Sequence, residues 1–141
     1  MSGFLLDTNI ISELIKPRPE PRVAAWVEAT DENLLYLSVL TLGEIRKGIV
    51  AVPHAARRAK LEAWLESDLR PRFAGRILPV DEAVAEHWGI IAGQAAMRGF
   101  LMPVIDGLLA AIAIHHALTL VTRNTRDIAE TGAQVFNPWE D

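Results

Sequence analysis

One acid stands inside the most apolar stretch of the chain. From Leu101 to Ile114 the sequence reads LMPVIDGLLAAIAI, with Asp106 as its only charged residue. Burying an unpaired carboxylate costs roughly several kcal/mol, so a cap, a basic partner or a metal ion must compensate it. Three further acids, Asp7, Glu44 and Asp127, lie where a strand is expected to hand over to a helix or a turn. Two carboxylates about 4 Å apart repel by roughly 4 kcal/mol at an effective dielectric near 20. A group of three or four therefore either raises its own pKa values or takes up a cation. All-oxygen donors suit Mg2+, with Mn2+ as a substitute, and such an ion keeps several of its waters. It can activate a water and stabilise charge on a phosphodiester under in-line attack. That chemistry needs no histidine base. His115 and His116, which end the apolar stretch, are read as cations suited to a helix C-terminus rather than as ligands.

Each acid also has a plainer reading. Asp7, in DTN, can be a helix N-cap. Glu44 can be a solvated helix residue. Asp106 can cap its own helix and favour its dipole. Asp127 can be a turn residue. Independent caps need not converge on one edge of a sheet, so convergence is the observation that separates the two sets of readings.

The elements that must bring the acids together are legible as alternating strands and helices. Gly3–Leu6, Leu34–Leu37, Ile77–Val80 and Leu118–Thr122 read as short apolar strands, and Val135–Phe136 as a last short edge strand. A helix carrying Ile10, Ile11, Leu14 and Ile15 follows the first strand, capped by Asp7 or Thr8. The prolines of KPRPEPR form an extended loop before a second helix over Arg22–Ala29. Ser38 caps a third helix, although Thr41 and Glu44 also have capping-box spacing and leave its start open. A charged amphipathic helix spans Ala55–Leu69, and Asp81 caps another that runs to Met97. The apolar helix starts near Pro103, and Arg123–Asp127 is expected to turn.

Strand–helix alternation implies an α/β fold with a parallel sheet of four or five strands flanked by helices, in one domain over residues 1–141. Ligands gather at the carboxyl ends of such strands. If the first and fourth strands are neighbours, Asp7, Glu44 and Asp127 reach that edge by connectivity. Asp106 reaches it because its helix runs antiparallel to the strand that follows.

Composition narrows the functional classes. The chain has no cysteine, which excludes disulfides and thiolate metal sites. The start MSGFLLDTNI lacks the basic region of a signal peptide, and no run reaches the roughly 18 apolar residues of a membrane span, so a cytoplasmic location is expected and no membrane contact. A net charge of −4 argues against a non-specific nucleic-acid coat, though less against a nuclease whose acids are neutralised by metal. No GxxxxGK[ST] phosphate loop is present, which argues against a nucleoside-triphosphate motor.

Four segments in order, LLDTNIISEL, SVLTLGEIRKGI, PVIDGLLAAIAI and LVTRNTRDI, resemble the PIN-domain ribonucleases. Together with the FNPW ending at Phe136–Trp139 they resemble the toxin subunits of VapBC-type toxin–antitoxin pairs, in particular the FitB-like branch, from Gly3 to Trp139. The resemblance implies a Mg2+-dependent endoribonuclease. Asp7 and Asp106 would be its principal metal ligands, Glu44 would complete the pocket and Asp127 would be the fourth acid. Many PIN domains carry an acid where this chain has Asn124, so the fourth role falls to Asp127 or is shared with Asn124. Thr8, Asn9 and Thr122 are candidates to orient carboxylates or waters, with turn and capping chemistry as the alternative.

An acidic pocket repels phosphate, so RNA needs cations beside it. The candidates are Arg46 and Lys47, just past Glu44, and Arg123 and Arg126, which flank Asn124. Arg57, Arg58 and Lys60 read instead as a solvated helix face paired with Glu62 and Glu66. Trp26, Trp64 and Trp88 read as core or interface rather than stacking platforms. The resemblance further implies a homodimer and a cognate antitoxin with a DNA-binding domain, so that DNA is touched only through that partner. Two other readings remain open: a catalytically degenerate PIN-fold regulatory subunit, and an aspartyl-phosphate phosphatase with Asp7 as nucleophile. The second would prefer an acid at the position of Asn9.

Overall fold

The structure, a computed structural model, describes residues 2–140, so both ends of the expected 1–141 unit lie outside the described residues. Five strands form one parallel sheet: β1 (Phe4–Leu6), β2 (Leu35–Ser38), β3 (Ile77–Leu78), β4 (Thr119–Val121) and β5 (Val135–Phe136), in the spatial order β3-β2-β1-β4-β5. The central strand β1 pairs Phe4 with Leu35 on one side and with Thr119 on the other. The chain builds outward from β1 through β2 to β3, then returns to the other side for β4 and β5. That reversal leaves a crevice at the carboxyl ends of β1 and β4, where open parallel sheets bind ligands.

Helices cover both faces, as a parallel sheet requires. They are α1 (Thr8–Leu14), α2 (Pro21–Ala29), α3 (Val39–Val50), α4 (Ala55–Trp64), α5 (Arg70–Arg72), α6 (Glu82–Met97), α7 (Val104–His115) and α8 (Thr125–Ala129). Side chains alternate along each strand and so feed two cores. Leu5 and Leu120 pack with Val84, Ile91, Leu109 and Ile112 from α6 and α7. Leu6 and Val121 pack with Ile10, Ile11, Val27, Leu42 and Phe73 on the opposite face. Among the described residues no helix is long and apolar enough to cross a membrane.

Local chemistry explains where the elements depart from the expected bounds. Leu34 belongs to a 3-10 turn (Glu32–Leu34) capped by Asp31, so β2 starts at Leu35 and extends to Ser38. Ser38 Oγ accepts from the Thr41 amide at 3.2 Å, which decides the start of α3 in its favour. Strand β3 stops at Leu78 because Pro79 has no amide to continue the ladder. The charged helix does not end at Leu69. It widens into a π-turn over Leu65–Leu69, where the Arg70 amide reaches back to Leu65 O, and runs on into α5. Pro71 causes the widening, since it lacks a donor and its ring crowds the preceding turn. The expected turn at Arg123–Asp127 gives way to α8 from Thr125 onward.

Gly3 sets the entry to β1. A Cβ there would stand 2.6 Å from Leu34 O and 2.9 Å from the Tyr36 ring. Gly3→Ala is therefore expected to lose about 1–3 kcal/mol of stability, as overpacked positions do. Urea unfolding measures this, and an unchanged midpoint would show that β1 shifts freely.

Candidate metal-binding and nuclease site

Each acid arrives on a different element. Asp7 follows β1 directly, and its amide donates to Val121 O at 2.9 Å, which extends the β1–β4 ladder by one residue. Its carboxylate caps α1: Oδ1 accepts from the Thr8 amide at 2.7 Å. Oδ2 accepts from Thr122 Oγ1 at 2.8 Å and from Asn9 Nδ2 at 3.5 Å. Thr122 is fully buried at the end of β4, and its hydroxyl also accepts from the Asn124 amide at 3.1 Å. Asp7 is thus both a cap and a member of the cluster, so the two sequence readings are compatible.

Glu44 sits on α3 and is held by α1. Thr8 Oγ1 donates to Glu44 Oε1 at 2.6 Å and stands 3.1 Å from Thr41 Oγ1. A hydroxyl has one proton, so with Thr8 committed to the carboxylate it is Thr41 that donates to Thr8. Asp106 lies in the first turn of α7 but does not cap it. The N-cap is Pro103, which makes no side-chain cap bond, and Asp106 Oδ2 instead accepts from Asn124 Nδ2 at 3.3 Å.

These residues line one cavity of about 420 Å³, with Asp7, Thr8, Asn9, Glu44, Asp106, Arg123 and Asn124 among its walls. Asp127 does not line it. The residue is half-buried in the first turn of α8, and its charge reaches Asp106 from outside the cavity. Arg46 is also elsewhere: its guanidinium pairs with Glu66 at 2.6 Å, which ties α3 to the π-turn. The cluster Arg57, Arg58 and Lys60 stays on the helix surface, with Arg58 bonded to Val52 O at 2.8 Å. At the position where an aspartyl-phosphate enzyme would want a second acid, the Asn9 amide points a donor at Asp7.

The electrostatics are those of buried carboxylates with like charges nearby. Burial pushes the Asp7 pKa above the usual 3.8, opposed by the bonds from Thr122 and Thr8 and reinforced by the charges of Glu44 and Asp106. Burial also raises Asp106, helped by Glu44 and Asp127.

Among the described residues no three acidic or histidine side chains are grouped tightly enough to hold one ion between them. The four acids therefore do not form a single shell of direct ligands. The donor set nevertheless fits a hard divalent cation that keeps part of its water, bound through one or two carboxylates. No histidine lines the cavity, and the Asn9 side-chain oxygen beside Asp7 is buried without a partner.

Apart from the apolar Ile105, four wall residues are not among the sequence candidates. Ser12, Glu13 and Lys16 share a stripe with Asn9, since positions 9, 12, 13 and 16 recur at helical spacing opposite the apolar Ile10, Ile11 and Leu14. That polar stripe, beginning two residues after Asp7, was the available signal. Trp139 is the fourth, visible in sequence only as part of the FNPW ending.

The parallel sheet with its acid-lined crevice agrees with the PIN-domain model, which matches residues 4–133, and the chain belongs to the PIN-domain family. It is similar to the toxin FitB of Neisseria gonorrhoeae, with 41% identity over 138 residues covering 98% of this chain and 99% of that one. It is similar also to the VapC ribonuclease Y4jK of Sinorhizobium fredii, with 38% identity over 137 residues covering 97% and 98%. A solved structure of FitAB bound to a DNA fragment superposes with a TM-score of 0.92 at 38% identity, covering 98% of this chain and 96% of that chain.

Because the Asp7 pKa is raised on folding, the native state binds its proton more tightly than the unfolded chain does, and stability falls as pH rises through the folded value. In chelator, Asp7→Asn should be more stable than the parent at pH 7–8. The advantage should shrink as pH falls toward 3.8, the ordinary aspartate value. Thermal melts across that range test this, and a variant equally destabilised at every pH would contradict it.

Proposed function

We propose that the chain is a toxin subunit of a type II toxin–antitoxin pair and a Mg2+-dependent endoribonuclease, with Mn2+ able to substitute, acting as one domain over residues 1–141. The observation that carries this reading is convergence: Asp7, Glu44 and Asp106, from β1, α3 and α7, line one cavity at the carboxyl edge of a parallel sheet. Three acids with unrelated local roles would have no reason to meet there. The ribonuclease name of the relative from S. fredii supports the activity.

When bound, a divalent cation supplies an activated water and neutralises charge on the scissile phosphate. The chain's own residues set the geometry. Asp7 and Asp106 are the principal ligands, with Glu44 completing the pocket by ion or water contact. Thr122 and Asn9 fix the rotamer of Asp7, Thr8 fixes that of Glu44, and Asn124 fixes that of Asp106. Outer partners of this kind hold ligands in place and tune them. Asn124 takes the position nearest the cavity, and Asp127 contributes from a second rank through its charge on Asp106. Arg123, on the cavity wall, is placed to receive the RNA backbone.

The partner reading rests on relatives. One solved neighbour is FitAB on DNA, and FitB is named a toxin. By the same reading this chain forms a homodimer, binds a cognate antitoxin and reaches DNA only through that antitoxin's DNA-binding domain.

Purified protein should cleave single-stranded RNA with Mg2+ and stop on addition of chelator. Asp7→Asn and Asp106→Asn should each stay folded and lower kcat/KM by at least the ~100-fold that loss of an outer-shell partner can cost. Folded variants that retain metal-dependent cleavage would defeat the assignment and favour a regulatory subunit.

A further inference from the structure

Glu13 is an acid of the cavity wall that differs in kind from the other three. The residue is 6% exposed, and both carboxylate oxygens are already committed. Oε1 accepts from Lys16 Nζ at 2.9 Å, and Oε2 accepts from the Glu20 amide at 2.9 Å. The Trp139 indole adds a third donor. These contacts, led by Lys16, hold Glu13 below the usual carboxylate range, opposite to Asp7 and Asp106.

Two cations of the same wall depend on this carboxylate. Lys16 is held directly, while its side chain stays 55% exposed and keeps ammonium protons free for a second acceptor. Arg123 is held indirectly: its guanidinium lies over the Trp139 ring, 5.1 Å from the centroid. Asn137 ties the same pair from the other side, accepting from the Trp139 amide at 2.9 Å and donating to Arg123 O at 3.4 Å. Lysine has a long flexible stem, and an untethered ammonium beside Asp7, Glu44 and Asp106 would collapse onto them. A permanent partner at Glu13 keeps Lys16 at the rim and leaves the three acids to a divalent cation.

We propose that Glu13 is a positioning residue for the substrate, which through Lys16 and the Trp139–Arg123 pair presents two cations to RNA phosphates flanking the scissile one. The proposal rests on the ribonuclease reading above and names the part of the wall that holds the strand.

The test is steady-state cleavage of a single-stranded RNA oligonucleotide with Mg2+ over a range of salt. Glu13→Gln should raise KM on the order of tenfold while kcat stays within about twofold, the signature of lost uniform binding. Lys16→Met should do the same and flatten the slope of log kcat/KM against log salt by about 0.7, the share of one single-strand phosphate contact. Lys16→Arg should restore both. A fall in kcat at unchanged KM would place Glu13 in the chemistry and overturn the proposal. A lower melting temperature with both constants unchanged would make it purely structural and overturn it equally. Should Glu13→Gln fail to fold, the more exposed Lys16→Met carries the test alone, and unchanged KM and salt slope overturn the proposal. If the parent protein cleaves no RNA with Mg2+, the ribonuclease reading itself fails, an outcome distinct from a cleaving parent with indifferent variants.

Discussion

Like charges have to be crowded together here without being cancelled. Asp7, Glu44 and Asp106 are each oriented by neutral donors: a threonine hydroxyl and an asparagine amide on Asp7, a threonine hydroxyl on Glu44, an asparagine amide on Asp106. Neutral donors fix a carboxylate without removing its charge, so the negative potential of the cavity survives folding. Burial first, and the neighbouring carboxylates second, raise the pKa of Asp7 and of Asp106. Had arginines or lysines filled those places, the fold would be more comfortable and the site inert toward a cation. Glu13 marks the contrast, being the wall acid whose charge is met by a cation.

Topology makes the crowding possible. Because β1 is central, its carboxyl end lies between α3 on one side and the β4–α8 segment on the other. Helix α7 starts at the same edge and runs away from it toward the start of β4, so its first turn delivers Asp106 there. Two hydrophobic cores, one per sheet face, hold these elements rigid enough for hydroxyl-length contacts to be kept. The site is therefore a property of the sheet's reversal point and not of any one loop.

Much of this was legible in advance, for reasons that can be traced residue by residue. Strand–helix alternation and the caps at Ser38 and Asp81 depend on local chemistry, and both caps form as expected. Asp106 was conspicuous because a lone charge in an apolar helix breaks the pattern around it. Arg46 pairs with Glu66, twenty positions away, which nothing near it in sequence announces. Asp127 was expected in a turn, since TRNTRD offers turn residues, yet the asparagine there starts a helix that carries the acid out of the cavity. Glu13 and Lys16 were overlooked because an acid–base pair three apart on a helix ordinarily signals a solvated face. Only the folded chain reveals that this face is a wall.

The bond between Asp7 and Thr122 joins positions 115 apart in the chain, and Trp139 closes the wall from further on still. A polypeptide emerging from the ribosome has its first strand long before the fourth, and Asp7 waits for its Thr122 partner until the residues of β4 have followed it out.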